Sequence, residues 1–423
     1  MSRLDELIRE LCPDGVEYKK FSDIATISRG ASPRPIQDYL TDQEHGVHWI
    51  KIGDVKQGAK YIEDTEEYIT EQGATKSRLV HKGDFILSNS MSFGRPYILK
   101  LDGCIHDGWL SISGFEHEVN PDYLYHLLNS TQIQREMSKK ASFGGAVQNL
   151  NADIVRGIIL PIPPMKIQEE IVRILDNFTE LTAELTAELT ARKKQYEYYR
   201  DKLLSFNPIG GGIQRISLGD LFDFRNGLSK GKEFFGHGTP LIEYTYVYNK
   251  RALRKSDITA LVECTPEERE KLHVSRGDVL FTRTSETAED VGWSSVMLDD
   301  MEDCVFNGFS IKATPKTDKL LPEYCAYCFS TEKFRQYVTS HCAFTTRASL
   351  TGSTIAQFEL PVPDLEIQHR IVNVLDNFES ICSDLSIGLP AEINARKKQY
   401  EYYRDLLLSF DGSQFVNVER EQK

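Results

Sequence analysis

Two segments of the chain carry apolar residues at alternating steps of three and four, which is the spacing of one face of a coiled-coil helix. Prolines within 161–164 and 361–363 mark where these segments begin, because proline is not accepted inside a helix. The pattern predicts one helix over residues 165–206 and a second that is kinked or broken at Gly388 and Pro390. The apolar positions are Ile171, Ile174, Phe178, Leu181, Leu185, Leu189, Tyr196, Tyr199, Leu203 and Phe206 in the first, and Ile371, Val374, Phe378, Ile381, Leu385, Leu389, Ile393, Tyr400, Tyr403, Leu407 and Phe410 in the second.

The stretch of chain before each predicted helix shows the short apolar runs of β-strands. Residues 85–87 and 279–281 are strand candidates, and each follows a Gly-Asp turn. Residues 123–139 and 324–338 are predicted to be helices, because each begins just after a proline at the preferred helix entry. We therefore expect a mixed α/β domain in front of each long helix.

The same order of segments occurs twice. Residues 191–206 and 395–410 agree at fifteen of sixteen positions, with Lys202 in one copy and Leu406 in the other. A block of about 150 residues followed by a nearly identical helical block is thus repeated, which predicts a pseudo-two-fold molecule with two α/β domains. The two long helices are expected to pack antiparallel as a coiled coil. The alternative is that each helix packs only on its own domain.

The first long helix contains a shorter repeat. The sequence TAEL occurs at 182–185 and again at 186–189. Four residues are just over one helical turn, so a unit can be added or removed without breaking the helix. We interpret this segment as a spacer of adjustable length.

Composition excludes several classes of protein. In 423 residues no apolar stretch approaches the roughly 18 residues of a membrane span, and the first residues lack the apolar core of a signal peptide. Eight cysteines are too sparse for a disulfide scaffold, so we expect a cytoplasmic protein. The net charge of −13 counts against binding nucleic acid through bulk positive charge, but it does not exclude a local basic surface.

Polar loops that contain arginine recur at matching places in the two domains. Arg, Asn, Gln and Ser are the residue types that read base edges and bind phosphates, so these loops are candidate DNA contacts. The alternative is that they are ordinary solvated loops. The candidates are Arg29, Ser32, Arg34, Ser88, Asn89, Ser92, Arg95 and Gln148 in the first domain and Arg225, Asn226, Lys230, Lys232, Thr282, Arg283, Thr284, Thr346 and Arg347 in the second.

The catalytic and metal-binding motifs that we considered are weak. Asp14 and Glu17 resemble part of a metal-dependent nuclease motif, but only two residues separate them, too few to bring them from neighbouring strands. Cys325 and Cys328 have the spacing of zinc ligands, yet leucines occupy the matching positions of the first domain, which favours buried core cysteines. We predict that this chain carries no catalysis, metal or cofactor of its own.

The repeated segments carry a family resemblance. The order of a variable block, a PxPP…IQ…IV..LDNF helix, a second variable block and a similar helix resembles the specificity subunit of type I restriction–modification enzymes. The LDNFTELTAELTAEL run and the paired RKKQYEYYRD segments resemble the subfamily with tetrapeptide repeats in the central helix. The resemblance covers essentially the whole chain.

The resemblance implies a function and partners. Such a subunit binds a bipartite, asymmetric double-stranded DNA target, and each target recognition domain reads one half-site. The antiparallel helices set the gap between half-sites and bind two methyltransferase (M) subunits, and motor-nuclease (R) subunits complete the enzyme. S-adenosylmethionine, ATP and Mg²⁺ belong to those partners, and no membrane is involved. A protein-binding coiled-coil adaptor without a nucleic-acid role is the alternative, and a fused DNA-modifying enzyme is a weaker one.

Domain limits follow from the repeat and the resemblance together. We expect recognition domains over 1–160 and 207–360, spacer helices over 161–206 and 361–410, and a disordered tail over 411–423. The residues expected to serve as spacer or subunit-docking positions are Leu181, Leu185, Leu189, Tyr196, Tyr199, Leu385, Leu389, Tyr400 and Tyr403.

Overall fold

The structure is a computed structural model, and it covers most of the chain. It describes residues 3–56, 58–89, 93–141, 149–206, 213–383 and 388–410. The expectations for Ser92, Gln148, Leu385 and the tail 411–423 lie outside the described residues.

By internal contacts the chain divides into two units. The first unit combines Met1–Leu185 with Ile393–Lys423, and the second unit is Thr186–Glu392. The boundary at Leu185 falls inside the TAEL repeat of the first long helix. Each unit therefore contains an α/β domain and segments of both repeated helical blocks.

The long helices follow the prediction from the apolar spacing. The helices are α1 (Arg3–Leu11), α2 (Phe21–Ile24), α3 (Glu71–Ala74), α4 (Pro121–Leu128), α5 (Thr131–Ala141), α6 (Ala152–Arg156), α7 (Met165–Ser205), α8 (Leu218–Leu221), α9 (Tyr244–Asn249), α10 (Pro266–Leu272), α11 (Pro322–Cys328), α12 (Glu332–His341), α13 (Gly352–Ile355), α14 (Leu365–Ser383) and α15 (Leu389–Ser409). Helix α7 has 41 residues, and a helix of that length spans about 60 Å. The second predicted helix is interrupted as expected, because Gly388 is not helical and α15 begins after it, with Pro390 in its first turn. Among the described residues no helix is both long and apolar enough to cross a membrane.

Each domain has two helices where the sequence pattern predicted one. The helix expected over 123–139 is α4 followed by α5, and the helix expected over 324–338 is α11 followed by α12. The break comes at Ser130 and Thr331, whose hydroxyl groups accept the amides of Ile133 (3.4 Å) and Phe334 (3.3 Å) and so begin a new helix. The single-helix prediction was wrong because the apolar spacing continues across these N-caps.

The strands form matching sheets in the two units. The strands are β1 (Tyr18–Lys20), β2 (Thr26–Arg29), β3 (Leu40–Thr41), β4 (Val47–Ile50), β5 (Tyr61–Ile62), β6 (Glu67–Ile69), β7 (Arg78–Val80), β8 (Phe85–Ser88), β9 (Pro96–Leu99), β10 (Gly103–Ile105), β11 (Trp109–Ser113), β12 (Ile159–Pro161), β13 (Arg215–Ser217), β14 (Phe222–Asn226), β15 (Phe235–Ile242), β16 (Ala252–Leu253), β17 (Leu261–Val262), β18 (Val279–Thr282), β19 (Thr284–Ser285), β20 (Ser294–Met297), β21 (Val305–Phe306), β22 (Ser310–Pro315), β23 (Ala343–Phe344), β24 (Ala348–Ser349) and β25 (Glu359–Pro361).

The strand order shows the duplication directly. The first unit has five-stranded sheets β2-β11-β8-β9-β5 and β3-β6-β4-β10-β7, and the second has β14-β22-β18-β20-β16 and β17-β15-β21. Ladders β1-β12 and β13-β25 lead into the long helices, and a further sheet, β19-β24-β23, occurs in the second unit. The two predicted strands are β8 and β18, the buried central strands of matching sheets. The expectation of two related mixed α/β domains is confirmed.

The helices of the first unit pack antiparallel. Tyr18 pairs with Pro161, just before α7 begins. Its hydroxyl donates to the carbonyl of Ser409 at the end of α15 (3.3 Å). Further along α7, the ring of Phe178 stacks on that of Tyr403 with a centroid separation of 5.3 Å. Residues later in α7 therefore lie beside residues earlier in α15, so the two helices are antiparallel.

The second unit repeats this arrangement with its own residues. Arg215 pairs with Pro361, just before α14 begins. Its guanidinium donates to the carbonyl of Ser205 at the end of α7 (2.6 Å). Further along α14, the ring of Phe378 stacks on that of Tyr199 at 6.0 Å. The C-terminal part of α7 and α14 are therefore also antiparallel.

The predicted apolar face of the helices is only partly correct. Ile171 and Phe178 are buried as expected, whereas Leu175 and Leu204 are buried at positions assigned to no face. The predicted apolar positions that are exposed are Leu181, Tyr199, Val374 and Ile381. The domains pack against the helix ends from a second direction, so the buried surface there is wider than one coiled-coil face.

Candidate nucleic-acid interface

The candidate residues of the first unit converge on one turn between β10 and β11, residues 106–109. Asp107 lies at its centre. Its carboxylate accepts hydrogen bonds from the Ser32 hydroxyl (3.0 Å) and the Arg34 guanidinium (3.3 Å). Its carbonyl accepts the side-chain amide of Asn89 (2.8 Å). We call this group, together with Arg29 and with Arg95, whose carbonyl accepts the amide of Ser88 (3.2 Å), the first contact face.

The main chain holds this turn against the ends of two neighbouring strands. The amide of Gly30 donates to the carbonyl of Trp109 (2.8 Å), and the amide of Asn89 donates to the carbonyl of Gly108 (3.0 Å). A Cβ atom at Gly30 would lie 2.0 Å from the carbonyl oxygen of His106, so only glycine allows this approach. The sheet therefore brings loops distant in sequence to one edge.

The carboxyl group of Asp107 is ionised and accessible. Its side chain is 43% exposed. Partial burial favours the neutral form, but the hydrogen bond from Ser32 and the charge of Arg34 contribute to a net lowering of the pKa of Asp107. The first contact face thus combines cations with one carboxylate.

The remaining candidates of this unit differ in accessibility. Ser88 and Asn89 are buried, so they support the turn and do not present their side chains at the surface. The side chain of Arg95 is exposed and makes no hydrogen bond or ion pair with any residue that the structure describes. Arg29 contacts the Asp107 carbonyl only weakly, at 3.4 Å.

The second unit builds an equivalent turn between β21 and β22, residues 306–309. The amide of Arg283 donates to the carbonyl of Phe309 (2.7 Å), and the carbonyl of Arg283 accepts the amide of Leu350 (2.9 Å). Thr282 is buried, and its hydroxyl accepts the amide of Trp293 (2.9 Å). We call Arg283 and its surroundings the second contact face.

The sheet β19-β24-β23 extends this second contact face. Thr284 pairs with Ser349, and the β23–β24 hairpin carries Thr346 and Arg347, both exposed. The structure thus brings together candidates that lie more than sixty residues apart in sequence. Within the described residues, no hydrogen bond or ion pair engages the Arg283 or Arg347 side chain, which leaves both cations available to a ligand.

Candidates near the start of the second domain are further from this group. Arg225 donates to the carbonyl of Lys271 (2.5 Å), and Lys230 forms an ion pair with Glu268 at 2.7 Å. Asn226 and Lys232 are exposed. The cations of Arg225 and Lys230 are therefore already engaged within the protein.

Sequence reasoning missed several residues of the two faces. Asp107 was not a candidate, although it lies in the motif CIHDGW, which the second copy repeats as CVFNGF. Phe309 and Phe344 were also missed, and they are 59% and 60% exposed. Exposed aromatic rings beside arginine can stack on bases or contact the thymine methyl group.

The cysteine pair of the second unit belongs to the core. Cys325 and Cys328 are 2% and 3% exposed and lie in α11. In the described part of the chain, no group of three or more His, Cys, Asp or Glu side chains has an arrangement suited to a metal ion. This agrees with the interpretation of both residues as buried core cysteines.

Comparisons with known proteins bear on these faces. Residues 13–192 and 211–395 match the family model of the type I restriction modification DNA specificity domain. The chain belongs to this family. A type I restriction enzyme specificity subunit of Escherichia coli is 33% identical over 261 residues, which cover 61% of this chain and 63% of that relative. A putative type I restriction enzyme specificity subunit of Haemophilus influenzae is 28% identical over 411 residues, which cover 93% of this chain and 96% of the relative.

Solved structures agree with the fold. A chain from a structure of the type I restriction–modification system matches with a TM-score of 0.68 at 16% identity, covering 94% of this chain and 98% of that one. The HsdS subunit from Thermoanaerobacter tengcongensis matches with a TM-score of 0.51 at 17% identity, covering 94% and 97%. At these identities the likeness concerns the fold alone.

Membership of the type I DNA specificity family confirms the resemblance seen in the repeated helices. It supports the interpretation of the chain as a DNA-recognition subunit that is not itself the enzyme, and it does not favour the adaptor alternative. The assignment to the subfamily with tetrapeptide repeats stays a prediction.

A repeated glutamine anchors each specificity domain to its long helix. The fully buried side chain of Gln168 makes three hydrogen bonds of 2.7–2.9 Å with main-chain groups near residues 118–120 and 163. Gln368 makes three matching bonds of 2.8–2.9 Å near residues 319–321 and 363. The IQ motif of the repeat is therefore structural.

Proposed function

We propose that this chain recognises a bipartite, asymmetric DNA target, with one half-site read by each contact face. The observation that carries the proposal is the pair of matching turns, 106–109 and 306–309, at equivalent edges of the two five-stranded sheets. Each turn gathers exposed polar or cationic side chains, which is the chemistry that reads base edges and binds phosphates.

The proposal extends to the partners of the chain. The exposed apolar positions of the long helices, Leu181, Tyr199 and Ile381, are available to dock other proteins. We assign to them the binding of two methyltransferase (M) subunits, with motor-nuclease (R) subunits joining in the cytoplasm. S-adenosylmethionine, ATP and Mg²⁺ then belong to those subunits. The other proposed spacer and docking residues are Leu185, Leu189, Tyr196, Leu389 and Tyr400. The expectation that Tyr403 docks a partner is wrong, because its side chain is 3% exposed and its ring stacks on Phe178.

The test uses the complex with its methyltransferase subunits and one arginine from each face. Arg95→Ala and Arg283→Ala should each weaken binding to the methylated target about tenfold, because each removes an unengaged cation from a proposed contact face. Lys82→Ala and Arg254→Ala are matched controls, since these cations lie at the opposite ends of the same sheets. Gel-shift titration at physiological salt measures the affinities.

Two results would contradict the proposal. One is equal affinity of the wild-type complex for all DNA sequences at physiological salt. The other is unchanged DNA binding by both arginine variants, which is the outcome that the adaptor alternative predicts.

The TAEL repeat supports a second element of the proposal, that α7 sets the gap between half-sites. Deleting residues 186–189 should shorten the helix by about 6 Å and rotate its end by about 40°. One base pair rises about 3.4 Å and turns about 36°, so the gap should shrink by one or two base pairs. Mapping methylated adenines in a genome that carries the variant measures the gap, and an unchanged gap would exclude this role for the repeat.

A further inference from the structure

The two contact faces differ at the centre of their turns. The first turn has Asp107 where the second has Gly308, because the amides of Asn89 and Arg283 donate to the next residue of each turn, Gly108 and Phe309. An acidic group on a surface that meets DNA is unfavourable, because it repels the phosphates that supply most of the binding energy. A carboxylate at this position therefore calls for a specific reason.

The architecture of the turn is not that reason. Gly308 occupies the same place, because the residues before the two, His106 and Asn307, match: a Cβ atom would lie 2.0 Å from the carbonyl oxygen of His106 at Gly30 and 2.1 Å from that of Asn307 at Gly227. A residue without a side chain thus supports an equivalent turn in the second unit. The negative charge of Asp107 is dispensable for this backbone arrangement.

The hydrogen bonds of Asp107 leave acceptor capacity unused. One carboxylate oxygen accepts from Ser32 and the other from Arg34, at 3.0 and 3.3 Å. A carboxylate offers about four acceptor positions, and this side chain is 43% exposed. Ser32 and Arg34 also hold the group in one orientation, as a residue that reads a base edge must be held.

In the major groove, only some bases present a donor that such an acceptor can bind. Cytosine N4 and adenine N6 donate hydrogen bonds there, whereas guanine O6 and N7 and thymine O4 only accept. A carboxylate attracts the first pair and repels the second. An asparagine at the same place can both donate and accept, so it discriminates less.

We propose that Asp107 determines specificity at one position of the first half-site by accepting a hydrogen bond from the amino group of cytosine or adenine. Arg34 and Ser32 act as positioning residues that fix the orientation of the carboxylate. The inference rests on the proposed function, since it requires the first contact face to meet DNA.

The test compares Asp107→Asn with the wild type in the complex with methyltransferase subunits. The probes are duplexes of the wild-type methylated motif in which every base pair of the first half-site is replaced in turn. The variant should lose about 5- to 150-fold of discrimination at one position. That position should require cytosine or adenine in the wild type, and the panel tells which. All other positions should keep their discrimination.

One further variant completes the design. Asp102→Asn is the matched control, because this carboxylate is 70% exposed and precedes β10 at the end remote from the turn, and it should leave every position unchanged.

The outcomes separate this inference from the proposed function. Unchanged discrimination by Asp107→Asn at every position, while Arg95→Ala weakens binding, would overturn the inference alone. A uniform loss of affinity for all duplexes with a lowered Tm would also overturn it, since that marks a purely structural role. Failure of the proposed function appears separately, as binding that is insensitive to Arg95→Ala.

Discussion

Each α/β domain contacts its long helices through one buried polar residue, at matching positions but with different chemistry. We call these two contact regions the joints. In the first unit, His126 is 1% exposed and contacts the Tyr400 hydroxyl (2.8 Å) and the Asp176 carboxylate (3.0 Å). The imidazole is enclosed by the domain and by both helices. Asp176 belongs to the repeated LDNF motif, so the helices supply the same aspartate to each joint.

In the second unit, Tyr327 takes the place of His126. Its hydroxyl contacts the carboxylates of Asp376 and Glu379 (3.1 Å to the latter), and the Arg251 guanidinium lies 3.7 Å from its ring centroid. Arg251 also forms an ion pair with Glu379. The comparison shows how similar helices pack against different domains: each provides the aspartate of the LDNF motif as a hydrogen-bond acceptor, and each domain supplies a different partner.

The single mismatch between the repeated 16-residue blocks is the second difference. Leu406 is buried in the core of the first unit, whereas Lys202 is exposed and its ammonium lies 5.6 Å from the ring centroid of Tyr198. The same helical segment therefore has a wider buried surface in one unit than in the other. This difference can be tested by exchanging the two residues.

The largest effect is expected from Leu406→Lys. Placing an ammonium group at a position that is 8% exposed should destabilise the first unit by about 3–4 kcal/mol, because the charge must be desolvated or the helix end must open. The reciprocal change, Lys202→Leu, should alter stability by less than about 0.5 kcal/mol. Hydrogen exchange measured by mass spectrometry, resolved by unit, reports both. Equal costs in the two directions would contradict the difference in burial.

Gln168→Ala and Gln368→Ala should have intermediate and equal effects. Each change leaves main-chain donors and acceptors buried without partners, which should cost about 2–3 kcal/mol in the unit concerned. The two bond sets agree within 0.1 Å. Urea unfolding followed by hydrogen exchange compares them, with Gln195→Ala, at a half-buried position in the C-terminal part of α7, as a control. A cost confined to one unit would show that the joints differ here as well.

The sequence predicted those features that arise from local spacing. Prolines and apolar periodicity located α7 and the break just before Pro390, and the repeat predicted two related α/β domains. The caps at Ser130 and Thr331 were missed because a hydroxyl residue within an apolar pattern does not reveal that it ends one helix and begins another.

Features that depend on contacts distant in sequence could not be predicted. Asp107 meets Ser32, Arg34 and Asn89 only because the sheet order brings three loops to one edge. No local signal in the sequence indicates which neighbours Asp107 has. Similarly, near-identity of the helical blocks hides the burial of Leu406, because the domain that covers it is not repeated exactly.

The smallest effect is expected from pH, and it distinguishes the two joints. Burial lowers the pKa of His126, although Asp176 opposes this. Lys60, Asp122 and Tyr400 are the other ionisable groups near the ring. An unfolded histidine binds a proton below about pH 6.5 while the folded one resists it, so the first unit should lose stability as the pH falls from about 6.5. The slope for one proton is at most about 1.4 kcal/mol per pH unit.

The second unit provides the comparison for this effect. Burial raises the pKa of Tyr327, so its hydroxyl stays protonated from neutral pH to pH 5 and contributes no slope. Hydrogen exchange in α4 and α11 at pH 7.5, 6.5 and 5.5, corrected for intrinsic rates, measures the two joints in one sample. His126→Gln should remove the additional pH dependence of α4, because the amide keeps hydrogen-bonding groups but does not titrate. If α4 and α11 respond equally to acid in the wild type, His126 does not make the first joint pH-sensitive.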